Sequence, residues 1–84
     1  MNSISVVFFS SLRESLGLGE YSFTLNAPMT IGELKKQLAE RLDNGQALLA
    51  SGIQSSVDFD FARDNDVISD TAREVAFFPP VTGG

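Results

Sequence analysis

Two segments of this sequence are apolar on both faces when written as β-strands, and they lie near opposite ends of the chain. Ile4-Ser5-Val6-Val7-Phe8-Phe9 is β-branched and aromatic and holds neither glycine nor proline, a composition that predicts a strand. Alternation sets Ile4, Val6 and Phe8 on one face and Val7 and Phe9 on the other. Glu74-Val75-Ala76-Phe77-Phe78 is the last strand and has the same character. A strand with two apolar faces belongs inside a sheet, or turns its second face to a partner. The first and last strands are therefore expected side by side, and the usual rules of connection make them parallel.

Between them lies one well-marked helix. Thr30-Ile31-Gly32-Glu33 has the form of a capping box, with Thr30 as N-cap and Glu33 three residues on. Met29 and Leu34 are spaced for a hydrophobic staple. Ile31, Leu34, Leu38 and Leu42 recur at intervals of three and four and form one apolar stripe. Lys35, Lys36, Glu40 and Arg41 fall largely off that stripe and read as a solvated face, and Asn44-Gly45 ends the helix. Ahead of it, Leu12 and Leu16 with Gly17 predict a single helical turn and its glycine cap. Tyr21-Ser22-Phe23-Thr24-Leu25 alternates strictly, as a half-buried strand antiparallel to the first.

After the helix, residues 46–50 predict a short turn closed by Gly52, and Val67-Ile68 a very short strand. Val57-Asp58-Phe59-Asp60-Phe61 alternates as a strand with Asp58 and Asp60 on one side. That pair lacks the glycine-rich loop and aligned glutamate of a Ca²⁺ site, and nothing supports acid–base work. It reads as the solvated edge of a strand, where charge opposes edge-to-edge aggregation.

A helix with one apolar stripe must cover a sheet face. The order strand, strand, helix, strand, short strand, strand then gives an α+β domain over residues 1–78. It is a mixed sheet with parallel central first and last strands, packed on one main helix: the β-grasp, or ubiquitin-like, fold. The sheet face turned away from the helix is expected to carry Phe9, Phe78 and Phe61. Clustered exposed aromatics of this kind suggest a docking surface.

Residues 79–84, Pro79-Pro80-Val81-Thr82-Gly83-Gly84, follow the last strand with no polar spacer. Pro79 and Pro80 have fixed φ and no N–H, so they cannot continue a sheet interior and favour an extended rod. Gly83 and Gly84 make a tip without side chains. Fully extended, the segment reaches about 20 Å at about 3.3 Å per residue, enough to enter a narrow channel in a partner and present an α-carboxylate there.

Composition narrows what such a tip can be for. With no Cys and no His, thiolate chemistry, disulfides and the commonest general base and metal ligand are excluded. The chain is expected to bind no metal and to act as substrate and carrier, not as catalyst. Its net charge of −5 does not suit phosphate neutralisation, so nucleic acid is not an expected partner, whereas a basic protein surface is. No stretch has the form of a signal peptide or the length of a membrane span, and a soluble cytoplasmic protein is expected.

The stretch Glu74-Val75-Ala76-Phe77-Phe78-Pro79-Pro80-Val81-Thr82-Gly83-Gly84 closely resembles the tail of the small, sulfur-carrier subunits of molybdopterin synthase, and Val6-Val7-Phe8-Phe9 with Leu12-Arg13-Glu14 is similar to that family's opening strand and turn. The family's Asp-Gly-Asp-like turn before the last strand is replaced here by Asp70-Thr71-Ala72-Arg73, and residues 44–66 match only loosely. The resemblance implies that an ATP-using, E1-like adenylyltransferase activates the carboxylate of Gly84. A sulfur donor enzyme then displaces AMP to leave a thiocarboxylate. The tail enters the large catalytic subunit and gives its sulfur to cyclic pyranopterin monophosphate, two charged carriers serving each dithiolene. The assembly implied is a heterotetramer with small subunits at the ends of a large-subunit dimer. No cofactor is bound; ATP is used by the partner. Gly83 would let both enzymes close around the backbone. Phe9, Phe61, Phe78, Pro79, Pro80, Val81 and Thr82 match partner-contacting positions, as does Arg13, which otherwise pairs with Glu14 or another local acid. Three alternatives stay open: a sulfur carrier for thiamine or tRNA thiolation, a ubiquitin-like protein modifier, and a plain interaction module.

Overall fold

The structure is a computed structural model that describes residues 2–80. In chain order its elements are β1 (Asn2–Phe8), α1 (Ser10–Leu16), β2 (Glu20–Leu25), β3 (Met29–Thr30), α2 (Ile31–Arg41), a 3₁₀ turn (Gly45–Leu49), β4 (Gln54–Val57), β5 (Asp60–Ala62), β6 (Val67–Ile68) and β7 (Glu74–Phe78). Five strands form a mixed sheet in the order β2-β1-β7-β4-β5, and β3 and β6 make a small separate ribbon. β1 and β7 run parallel, with Val6 opposite Val75 and Phe8 opposite Phe77, as their double apolarity requires. β2 is antiparallel to β1.

One sheet face lies under α2. Ile4, Val6 and Phe8 of β1, Phe23 and Leu25 of β2, and Val75 and Phe77 of β7 pack with Ile31, Leu34 and Leu38 of the helix. The Phe8 and Phe77 rings stack with centroids 6.3 Å apart and planes 18° from parallel. Leu12 and Leu16 of α1 and Leu48 of the 3₁₀ turn are buried in the same cluster. α1 spans seven residues, longer than the single turn expected, because Leu12 and Leu16 both find the core and Gly17 caps it at φ 74°.

The capping box of α2 forms as its sequence predicts. The Glu33 N–H donates to the Thr30 hydroxyl (3.1 Å), and the Thr30 N–H donates to the Glu33 carboxylate (3.0 Å). The Thr30 hydroxyl also donates to that carboxylate (3.1 Å), and the bonds from the Thr30 N–H and then from its hydroxyl hold the Glu33 carboxyl below its ordinary range, with Lys36 adding a smaller pull. A carboxyl whose pKa is lowered by folding stabilises the fold above its unfolded pKa. That contribution is lost as pH falls through the depressed value. Urea midpoints over a pH series should show Glu33→Gln less stable than the parent above the ordinary glutamate pKa, with the gap closing in acid. Thr30→Ala should cost about 1 kcal/mol at neutral pH.

Two expectations are corrected. Lys35 is not on the solvated face: it is buried, and its ammonium donates to Asp64 Oδ1 (2.8 Å) and to the Ile53 carbonyl (3.3 Å). Its position flanks the apolar stripe, so the aliphatic stem is covered while the charge reaches an exposed carboxylate.

Residues 57–61 are not one strand either. β4 and β5 form an antiparallel hairpin, with Val57 opposite Asp60 and Ser56 opposite Phe61. Its two turn residues, Asp58 (φ 48°) and Phe59 (φ 73°), are both left-handed, as in a type I′ turn. Asp58 and Asp60 therefore do not share one side of a strand. The Asp58 carboxylate instead accepts the N–H groups of Arg73 and Glu74, both at 3.0 Å, and the Asp58 N–H donates to the Glu74 carbonyl at 2.9 Å. These tertiary bonds offset the cost of holding two residues other than glycine at positive φ.

Candidate functional site

β7 is the middle strand of the sheet, and the chain beyond it leaves from there. Val75 and Phe77 point into the core, which anchors the strand from one side. Ala76 and Phe78 point to the face away from α2. Pro79 is half-buried and Pro80 exposed, so the polypeptide passes from the most buried strand of the domain to its surface within three residues. Val81, Thr82, Gly83 and Gly84 lie outside the described residues.

The open face is apolar at the end where β7 stops. Phe78 sits opposite Gln54 of β4, and Phe61 sits opposite Ser56. The Phe61 ring reaches over to Phe78, edge to face, with centroids 6.0 Å apart and planes at 61°. Phe61 is 80 % exposed and Phe9 48 % exposed. The Phe9 N–H donates to the Phe77 carbonyl at 3.1 Å. With Phe8 opposite Phe77, that bond sets Phe9 next to Phe78 in the parallel register. The structure thus brings Phe9, Phe78 and Phe61 to one end of one face, at the root of the tail. An edge-to-face pair such as Phe61–Phe78 is worth about 0.5–1.5 kcal/mol beyond its area burial.

Arg13 stands on α1, exposed, in a shallow groove with Ser10, Glu14, Gly17, Leu18 and Gly19. It forms neither an ion pair nor a cation–π contact among the described residues, where the ion pair present is Lys35–Asp64 and the cation–π contact is Arg41 over Phe23. The alternative reading of Arg13, a pair with Glu14 or another local acid, is not seen among the described residues. Nor do the described residues include three or more acidic side chains grouped to hold a metal ion.

Sequence alternation missed Phe59. It looked like the middle of a strand, yet it occupies the hairpin turn and is 84 % exposed. A turn glycine or asparagine would have marked the hairpin, and none is present. Nor does the sequence pattern show that the Pro80 ring occupies the space a side chain at Gly52 would need.

The sequence pattern of the ThiS family matches residues 6–84. The molybdopterin synthase sulfur carrier subunit of Escherichia coli K12 is 37 % identical over 89 residues, spanning 96 % of this chain and 99 % of that protein. Among solved structures, SAMP1 from Haloferax volcanii superposes with a TM-score of 0.74 at 20 % identity, covering 99 % of this chain and 100 % of its own. A chain from the complex of subunits 1 and 2 of the molybdopterin-converting factor of Helicobacter pylori 26695 gives 0.62 at 19 % identity, covering 98 % and 99 %. At those identities the structures establish the shared β-grasp fold.

Proposed function

The chain belongs to the ThiS family, together with the sulfur carrier subunits of molybdopterin synthase, and on that premise we propose that it carries sulfur on Gly84 for the synthesis of molybdopterin. The observation that carries this reading is the root of the tail. The central strand runs straight into Pro79-Pro80 beside an open aromatic patch, so the same rigid element that holds the core also sets where the tail leaves the domain. The near full-length match to the Escherichia coli sulfur carrier subunit supports it.

A carboxylate is a poor electrophile. In the proposed cycle a partner enzyme joins the Gly84 carboxylate to the AMP portion of ATP and releases pyrophosphate. Sulfide released by the donor enzyme attacks the acyl carbon and expels AMP, which leaves a thiocarboxylate and a proton. The tail then enters the large subunit, where the thiocarboxylate gives its sulfur to cyclic pyranopterin monophosphate and hydrolysis restores the carboxylate. The domain supplies docking and reach, and the partners supply the bases and ATP, in keeping with a chain that lacks His and Cys. Phe9, Phe61 and Phe78 bear on the large subunit, and Arg13 lies at the margin of that contact. The Helicobacter pylori protein of the same fold is found in a complex with its second subunit, which supports this arrangement.

The test is reconstitution of the charged chain with a molybdopterin synthase large subunit and pterin precursor. A sulfur-bearing pterin and a chain returned with a free carboxylate are expected. Recovery of the whole chain linked to lysine side chains would instead assign it as a protein modifier. Sulfur delivered only to a thiazole precursor or to tRNA would assign another pathway.

A further inference from the structure

Ala50, Ser51, Gly52 and Ile53 form a tight turn between the 3₁₀ turn and β4. The Ile53 N–H donates to the Ala50 carbonyl at 3.4 Å, and Gly52, third in the turn, has φ +90°. That is the position at which a type II turn requires glycine. The β4–β7 register pairs Gln54 with Phe78; carried outward, it places Ile53 beside Pro79 and Gly52 beside Pro80. The Pro80 ring fills the space where a side chain of Gly52 would be. A Cβ there would lie 3.1 Å from Pro80 Cγ, 3.4 Å from its Cβ and 3.6 Å from its Cδ. Carbon atoms in comfortable contact stay about 3.5–4.0 Å apart. The turn is itself held from the other side, because Lys35 donates to the Ile53 carbonyl and is fixed by Asp64.

We propose that the turn at residues 50–53 is a seat for the tail. Gly52 is a positioning residue whose bare backbone lets the Pro80 ring rest on it, and this contact sets the direction in which the chain leaves the domain. The role in sulfur delivery rests on the assignment of Gly84 as the sulfur-bearing group. Pro79 and Pro80 have fixed φ, so the place where the Pro80 ring rests fixes the backbone at the point where the chain leaves the domain. The buried Lys35 acquires a part in the same device, since it ties the seat to α2.

The test is Gly52→Ala in the full-length chain, measured for sulfur transfer in the complex with the large subunit. Gly17→Ala is the matched control. Gly17 also has positive φ, +74°, but a Cβ there meets nothing within 4 Å, so it brings backbone strain without touching the tail. Gly52→Ala is expected to lower kcat for transfer about 3-fold or more, because the Pro80 ring must give by a few tenths of an ångström and misplacement of about 1 Å at a reacting group can cost about 100-fold. At saturating large subunit Gly17→Ala should keep the parent kcat, any effect of its place in the groove beside Arg13 falling on affinity. In a Pro80→Gly background, where no ring remains to displace, the added effect of Gly52→Ala should shrink to less than about 2-fold, the non-additivity expected of residues in contact. Parent kcat in Gly52→Ala, or an undiminished penalty after Pro80→Gly, overturns the seat. A second readout is independent of sulfur: nuclear Overhauser contacts between the Gly52 α-protons and the Pro80 ring are expected in the parent chain, and their absence overturns the proposal. A parent chain that shows those contacts yet never accepts sulfur would refute the sulfur assignment and leave the seat standing.

Discussion

Deleting Gly84 is expected to abolish sulfur transfer while leaving the fold intact and docking largely so. The core lies wholly between Ile4 and Phe77, and the aromatic patch ends at Phe78, so the deletion removes nothing that either depends on. It does shorten the reach of the tip by about 3.3–3.6 Å. Reacting atoms must approach to about 3–3.5 Å, and an error of about 1 Å can already cost about 100-fold. The shortened tip still ends in glycine and a carboxylate, so chemistry alone does not disable it; position does. The measurement is the transfer rate in the reconstituted complex, beside the thermal midpoint and the affinity for the large subunit. Loss of transfer by at least about 100-fold with an unchanged midpoint is expected.

Phe77→Ala should be far more destabilising than any substitution on the open face of the sheet. The Phe77 ring is fully buried, stacks on Phe8 and lies in the middle strand. Removing a buried phenylalanine ring typically costs about 3–5 kcal/mol. A domain of this size has about 4–12 kcal/mol in total, and each kcal/mol is worth about 4–8 °C in its thermal midpoint. Phe78→Ala, one residue later on the opposite face, leaves the core intact and should cost well under half as much. Its effect should fall on affinity for the large subunit, because its half-buried ring packs edge to face against the exposed Phe61. Paired urea melts and binding measurements on the two variants separate the faces of β7. Equal destabilisation by both would contradict the assignment of those faces.

What was legible in the sequence was whatever an element's own period or chemistry declared. The capping box at Thr30 and Glu33, the stripe of Ile31, Leu34 and Leu38, and the doubly apolar strands at residues 4–9 and 74–78 each point to one structure. The parallel central pair follows from those strands. The errors arose where tertiary contacts override local pattern. Asp58-Phe59 carries no hairpin signal, and it turns because Asp58 binds the backbone of Arg73 and Glu74. Alternation ran across that turn unbroken, which hid both the hairpin and the exposure of Phe59. Lys35 looked solvated because helical period counts only the centre of a stripe, and its partner, Asp64, is distant in sequence. The open aromatic patch could be read in advance because Phe9 and Phe78 sit out of phase with the buried Phe8 and Phe77. The seat beneath Pro80 could not, since it depends on the register that brings Gln54 opposite Phe78.

The departure at Asp70-Thr71-Ala72-Arg73 also has a physical basis. The Ser69 hydroxyl accepts the Thr71 N–H at 3.1 Å, the Ser69 carbonyl accepts the Ala72 N–H at 3.0 Å, and Ala72 is buried in the core. A side-chain turn and a small apolar anchor do there what a glycine turn would otherwise do.

The central claim is that the reactive group of this protein is the Gly84 carboxylate. The most direct measurement is the intact mass of the chain after incubation with ATP, the cognate adenylyltransferase and a sulfur source. A gain of about 16 Da, the replacement of one oxygen by sulfur, is predicted, and it should localise to the C-terminal peptide and be absent when ATP is withheld. An unchanged mass under conditions in which the adenylyltransferase charges a known carrier would contradict the account.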